Sequence, residues 1–135
     1  MTAITNSQTI IDGEHTVIQK FYMFAQDATG ETNVVKVDPS TLAKSSSGLS
    51  CTGVRLNKVT AITHGQEVLM QWDATSPVPI MFVPPDSQYT QDYSGFGGLP
   101  NNSGAGKTGK VTFTTYDTST GDSYTIILEM IKTYA

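Results

Sequence analysis

Apolar residues along this chain recur mostly at every second position, in short runs that end at glycine, proline, asparagine or aspartate. Alternation with a period of two is typical of a β-strand with one buried face. The two clearest runs, Lys110–Tyr116 and Ser123–Tyr134, flank the turn Asp117–Asp122, and this spacing predicts a β-hairpin. The run His15–Ala25 carries apolar residues on both faces, which predicts a central strand or one covered by a neighbouring subunit.

Strands are also predicted in the middle of the chain. Glu31–Val37 follows a turn and is interpreted as the returning strand of a hairpin with the strand before it. Residues 68–73 alternate clearly, and Val78–Val83 is bounded by prolines, which favours a position at a sheet edge. Cys51–Thr63 is a further strand whose aliphatic side chains are predicted to face inward. These inward residues are Val54, Leu56, Val59 and Ile62.

No segment shows the periodicity of a long helix, and Pro39–Ala43 is predicted to form one short helical turn. Asp86–Thr108 is rich in glycine, proline, serine and asparagine and is predicted to be a long connecting loop. Roughly seven or eight short strands without intervening helices predict an all-β fold, a single-domain antiparallel β-sandwich or jelly roll with long Gly/Pro/Ser loops. The domain is expected to span residues 1–135, with residues 1–12 as an N-terminal arm or a first edge strand.

Composition narrows the functional classes. The 135 residues suffice for one hydrophobic core. The net charge of −4 and the scattering of the eight Lys and Arg residues disfavour nucleic-acid binding. Cys51 is the single cysteine, so no intramolecular disulfide can form. No apolar run is long enough to span a bilayer and no signal peptide is visible, so we expect folding in a cytoplasm and no membrane role.

Three patterns suggest chemistry, and each lacks a feature that the chemistry needs. Gly104–Thr108 resembles the end of a P-loop, but that motif requires a glycine where this chain has Asn101, and a helix where a strand is predicted. His15 and His64 have no neighbouring cluster of further ligands, so no metal site is predicted. The turn Asp117–Asp122 brings two carboxylates together, and calcium binding there remains an alternative. No catalytic residue and no cofactor are predicted.

Aromatic residues gather near the long loop. Tyr89, Tyr93 and Phe96 lie within it, and Trp72 lies near the end of the earlier alternating segment 68–73. One interpretation is a sugar-stacking platform, as in carbohydrate-binding modules. The favoured interpretation is that they plug one end of the sandwich or bury in a subunit contact, because tyrosine and tryptophan are enriched in interfaces.

Three segments in the second half of the chain carry a family resemblance: Leu69–Ser76, Tyr93–Asn101 and Gly121–Glu129. Their order is similar to that of small jelly-roll structural proteins of tailed bacteriophages. The resemblance implies a non-enzymatic virion protein, first of all a capsid cement or decoration protein bound to the outside of the head. No functional residue is carried over from it individually.

Such a role predicts surfaces for protein–protein contacts. The expected partners are the major capsid protein or other virion proteins and further copies of this chain, with a trimer favoured. The expected location is the capsid surface, after assembly in the host cytoplasm. A neck, tail or fibre-attachment component, a carbohydrate-binding module and a small hydrolase remain alternatives. The candidate interface residues are Ile4, Ile10 and Ile11 in the arm, and Tyr89, Tyr93, Phe96 and Leu99 in the loop.

Overall fold

The computed structural model describes residues 4–134, so the first three residues of the predicted arm lie outside the described residues. Within that range the chain forms nine strands and two single-turn 3-10 helices. The strands are β1 Ile4–Asp12, β2 Thr16–Phe24, β3 Val34–Val37, β4 Cys51–His64, β5 Glu67–Trp72, β6 Val78–Val83, β7 Gln88–Asp92, β8 Val111–Tyr116 and β9 Ser123–Tyr134. The 3-10 helices are Pro39–Thr41, inside the predicted helical turn, and Ser94–Phe96.

The strands form two antiparallel sheets. The five-stranded sheet has the order β1-β2-β9-β4-β7, and the four-stranded sheet has the order β3-β8-β5-β6. From β2 onward the chain passes back and forth between the sheets and leaves four strands in each, which is the arrangement of a jelly roll. The predicted all-β sandwich of jelly-roll type is therefore confirmed, with β1 as an additional edge strand.

Both predicted hairpins are wrong. β9 lies between β2 and β4, whereas β8 pairs with β3 and β5 in the other sheet. β3 likewise pairs with β8 and not with β2. The reason is visible at the turn between β8 and β9, which bonds to the end of β2: the Ala25 amide donates to the Asp122 carbonyl at 2.7 Å, and the Gly121 amide donates to the Ala25 carbonyl at 2.9 Å. This turn therefore crosses from one sheet to the other.

The core lies between the sheets and takes aliphatic and aromatic side chains from both. The Phe113 ring of the four-stranded sheet packs edge-on against Phe21 at 5.6 Å and against Tyr124 at 5.7 Å between ring centroids. The Tyr124 hydroxyl donates to the buried Glu31 carboxylate at 2.5 Å, and Lys36 Nζ lies 2.6 Å from the other carboxylate oxygen. Burial, reinforced by the Glu31 charge, raises the pKa of Tyr124 above its usual value.

One predicted core position on β4 is wrong. Three of the four predicted side chains are buried, but Ile62 is 46% exposed. The register of β4 against β9 shifts between Leu56 and Lys58, which is a β-bulge. The extra residue reverses the alternation after that point, so that Ala61 faces the core and Ile62 faces outward.

Two further expectations concern the sheet edges. β6 lies at an edge of the four-stranded sheet, as the flanking prolines predicted. The prediction of a continuous loop over Asp86–Thr108 is wrong in part, because Gln88–Asp92 forms β7 at an edge of the five-stranded sheet. The sequence Gln-Tyr-Thr-Gln-Asp has no apolar alternation, since none of its five residues is buried on either face of the strand.

Candidate functional site

The first candidate surface is the edge of the five-stranded sheet formed by β1. This strand pairs with β2 on one side, and within the described residues no strand pairs with its other side. Ile4, Ile10 and Ile11 are 50%, 54% and 51% exposed. An edge strand offers free backbone donors and acceptors to another chain, and exposed apolar side chains strengthen such a contact.

A bulge in β1 shapes this edge. The register with β2 shifts between Thr9 and Ile11, so Ile10 is the inserted residue. Bulges twist an edge strand and limit indefinite edge-to-edge pairing. The β1 edge is therefore bent near Ile10, and a specific contact with another chain is favoured near Ile4.

The end of β1 is anchored by Asp12. Its carboxylate forms an ion pair with Lys132, whose side chain is fully buried, and accepts a hydrogen bond from the Ala43 amide at 2.9 Å. Lys132 Nζ also donates to the Ala43 carbonyl at 3.0 Å. Burial opposes ionisation of Asp12, but the hydrogen bonds from Lys132 and Ala43 outweigh it and lower the pKa of this carboxyl. β1 is thus fixed to the sandwich at this end.

The second candidate surface lies at the opposite edge of the same sheet. It consists of β7 and the segment 93–99, which we call the aromatic loop. Tyr89 on β7 is 40% exposed and Phe96 is 63% exposed. The Tyr93 ring packs edge-on against Phe96 at 5.9 Å, while its own side chain is partly buried against the core. Burial, with a contribution from Tyr89, raises the pKa of Tyr93.

The aromatic loop is held against β4. The Leu99 amide donates to the Leu56 carbonyl at 2.7 Å, and the Leu56 amide donates back to the Leu99 carbonyl at 3.1 Å. Gly98 has a φ of +98°, and a Cβ there would lie 3.2 Å from Arg55 Cβ, so a glycine is required for this approach. Leu99 itself packs partly against the core. The loop is therefore both a surface and part of the sandwich.

The predicted interface residues fall into two groups that the fold keeps apart. Four strand spacings separate β1 from β7, about 19 Å at the usual distance between neighbouring strands. The two groups therefore lie at opposite edges of the five-stranded sheet.

Sequence reasoning missed apolar residues on the outer face of the five-stranded sheet. Tyr22 and Ile62 are exposed, and both pair with Thr125 on β9, so they lie in one row across the sheet. The apolar second face of the segment His15–Ala25 was the available signal for Tyr22. An exposed aromatic pair on the four-stranded sheet, Phe82 and Tyr116 at 6.3 Å, was also missed.

The residues considered for chemistry are dispersed or already engaged. Among residues 4–134 no three His, Cys, Asp or Glu side chains gather into a group that could hold a metal ion. His64 Nδ1 lies 3.4 Å from an Asp86 oxygen, and both side chains are exposed. In the turn proposed for calcium, the Asp122 carboxylate accepts the Ser119 amide at 2.9 Å. Trp72 is buried in the core, so it plugs the sandwich and is not part of a sugar platform.

No protein-family model and no curated protein matches this sequence. Similar solved structures include a cupin superfamily protein from Desulfitobacterium hafniense, the cysteine peptidase Peruvianin-I from Thevetia peruviana latex, and CoII HppE in complex with Tris buffer. They are 10%, 12% and 8% identical to this chain, with TM-scores of 0.32, 0.35 and 0.33. The matches cover 96%, 95% and 93% of this chain and 77%, 61% and 52% of those chains.

These TM-scores are too low to support an argument about fold or function. The jelly-roll assignment rests on the strand order alone. In the part of the chain that the structure describes, no helix is long and apolar enough to cross a membrane.

Proposed function

We propose that this protein is a non-enzymatic structural protein of a tailed-bacteriophage particle, a cement or decoration protein on the outside of the head that is assembled in the host cytoplasm. The observation that carries the proposal is the placement of exposed apolar side chains on both free edges of one sheet. Ile4 and Ile10 lie on one edge, and Tyr89 and Phe96 lie on or beside the other.

Two different edges on opposite sides of a molecule favour head-to-tail association. When copies join through unlike surfaces, a rotation that closes gives a ring. Four antiparallel steps separate β1 from β7, so the two strands run in the same direction. A contact between β1 of one copy and β7 of the next copy is therefore a parallel strand pairing. A rotation axis parallel to the strands can repeat this pairing around a ring, and a ring of three copies fits the threefold points of a head.

The outer face of the five-stranded sheet supplies the surface toward the major capsid protein. It connects the two edges and exposes Tyr22 and Ile62. A contact through a few exposed side chains is weak in a single copy, but several copies in one ring bind the head together and gain avidity. The resemblance of three sequence segments to small virion proteins supports the same role.

The test combines light scattering on the purified protein with binding to undecorated heads. A trimer that saturates the head surface is the expected result. A ring of another order that leaves heads bare would assign the protein to the neck or tail, the second candidate, and would overturn the decoration role. A monomer that binds no virion component would overturn both candidates.

A further inference from the structure

A cleft of about 510 Å³ opens where the start of β4, the end of β9 and the loop 100–109 meet. This volume lies within the range of small-molecule sites and is far larger than one inorganic ion requires. The register of β4 against β9 shifts between Cys51 and Gly53, so a β-bulge forms part of the wall. Bulges are frequent beside binding sites because they redirect side chains.

The cleft is basic in a protein whose net charge is −4. Arg55, the single arginine of the chain, and Lys107 both line it. Within residues 4–134 neither side chain forms an ion pair. A second depression of about 500 Å³ shares Thr52 and Thr108 with the first and adds Lys110, together with the carboxylate of Asp38. Three of the eight Lys and Arg residues thus lie around this one region.

Arg55 is already oriented. Its Nε donates to the Gly97 carbonyl at 3.1 Å, and its Nη2 donates to the Gly98 carbonyl at 3.1 Å. A guanidinium has five N–H donors, so these two bonds fix the group and leave three donors for another acceptor. A planar oxyanion is the preferred partner of such a fixed guanidinium.

The loop that carries Lys107 is built to approach the sheet closely. A Cβ on Gly106 would lie 2.0 Å from Thr75 Oγ1, and one on Gly109 would lie 2.3 Å from the Thr52 carbonyl oxygen, so only glycine fits at either position. The Thr108 hydroxyl donates to Asp73 at 2.8 Å. The Gly-Lys-Thr pattern that resembles a P-loop therefore places Lys107 in the wall of the cleft, and β8 follows it in place of a helix.

The remaining walls are neutral and combine polar groups with a larger share of apolar surface. Thr52, Thr133 and Asn101 contribute hydroxyl and amide groups beside the apolar surface of Pro100 and Val54. Neutral polar groups of this kind suit the hydroxyls of a sugar ring.

We propose that this basic cleft binds a ligand the size of a monosaccharide that carries one oxyanion, a carboxylate or a phosphate. Arg55 and Lys107 bind the oxyanion, and the polar walls bind the hydroxyls. Such binding is separate from self-association and from attachment to a head, so either property can hold without the other.

The test is a calorimetric titration of the full chain with glucuronate, glucose 6-phosphate, glucose and inorganic phosphate, each at millimolar concentrations. Heat from glucuronate or from glucose 6-phosphate, with little from the other two ligands, is the expected result, and the stronger of the pair identifies the anion. The proposal is overturned if none of the four ligands binds, or if glucose binds as tightly as glucuronate and glucose 6-phosphate. It is also overturned if inorganic phosphate binds as tightly as glucose 6-phosphate.

Two substitutions localise the binding. Arg55→Gln should weaken the affinity at least about tenfold, because it removes charged hydrogen bonds. Lys107→Gln changes an exposed side chain and should weaken affinity about threefold while the thermal unfolding temperature stays the same. Lys20→Gln on β2 is the matched control and should have no effect. If Arg55→Gln fails to fold, the result for Lys107→Gln decides. The proposed site is overturned if Lys107→Gln leaves the affinity unchanged, or if Lys20→Gln reduces the affinity as much as Lys107→Gln does.

Discussion

The two free edges of the five-stranded sheet differ in how they are attached to the rest of the molecule. Along β1 eight of nine residues are exposed, and the strand is held by its backbone bonds to β2 and by the ion pair of Asp12. At the other edge, Tyr93 and Leu99 pack partly against the core, and Leu99 exchanges two backbone hydrogen bonds with Leu56. β1 is attached by backbone pairing along its length and by side chains only at Asp12, whereas the aromatic loop also packs side chains against the core.

Because of this difference, substitutions in β1 can test self-association separately from the stability of the fold. A side chain in the exposed part of β1 can change without loss of core packing, so it can act on self-association alone. In the aromatic loop we expect a substitution to change both self-association and stability, except at Phe96, whose ring is mostly exposed.

The largest effect is expected at the anchor of β1. Asp12→Ala leaves Lys132 buried without its counter-charge, and an unpaired buried charge typically lowers stability by about 3 kcal/mol. Urea unfolding followed by fluorescence measures the change. Lys132→Met is the control and should lower stability less, because the Asp12 side chain left behind is 23% exposed and can be hydrated. Equal effects of the two changes would show that the ion pair is not the anchor.

The second prediction compares one truncation at each edge. Leu99→Ala should lower the free energy of unfolding by about 2 kcal/mol, since it removes partly buried packing. Ile10→Ala should change it by no more than about 0.5 kcal/mol, since that side chain is half exposed. Urea midpoints of both variants provide the measurement. A larger loss in Ile10→Ala than in Leu99→Ala would contradict the proposed difference between the edges.

Sequence patterns predicted the strands well because each strand reports its own buried face. They failed where a distant partner decides the outcome. The turn Asp117–Asp122 has the composition of a hairpin turn, but its bonds to Ala25 carry the chain into the other sheet. The bulge after Leu56, which reverses the facing of Ile62, has no local signal. β7 was missed because its pairing with β4, and not its own alternation, makes it a strand.

The candidate surfaces were predictable to the same extent. The polar sequence around Ile4 and Ile10 indicated that both side chains are exposed. The division into two opposite edges depends on strand order, which no local pattern reports. The basic cleft likewise joins Arg55 and Lys107 from segments far apart in sequence, so only the fold reveals it.

A third, smaller effect is expected with pH. The pKa of Asp12 is lower in the folded chain than in the unfolded chain, so its ionised form stabilises the fold above the unfolded pKa of about 4. This contribution is lost as the pH falls through the lower, folded value. Urea unfolding at a series of pH values should show a steeper loss below about pH 4 in the natural chain than in Lys132→Met. Parallel curves for the two proteins would contradict the role of the pair.

The smallest effect on stability is expected at the tip of the aromatic loop. Phe96→Ala should change the free energy of unfolding by no more than about 0.5 kcal/mol, because most of this ring is exposed. The same substitution should reduce self-association, measured by light scattering at several concentrations. Unchanged association would show that the ring does not lie in the contact.

The central claim, that the opposite edges of the five-stranded sheet join copies of the chain, is tested most directly by light scattering on a paired set of variants. The double substitution of Ile4 and Ile10 by lysine places charges on the β1 edge, and that of Val34 and Val35 by lysine does the same on β3, an exposed edge of the other sheet. We expect a monomer from the first variant and the trimer of the natural chain from the second. A trimer from the first variant, or a natural chain that is itself a monomer, would contradict the claim.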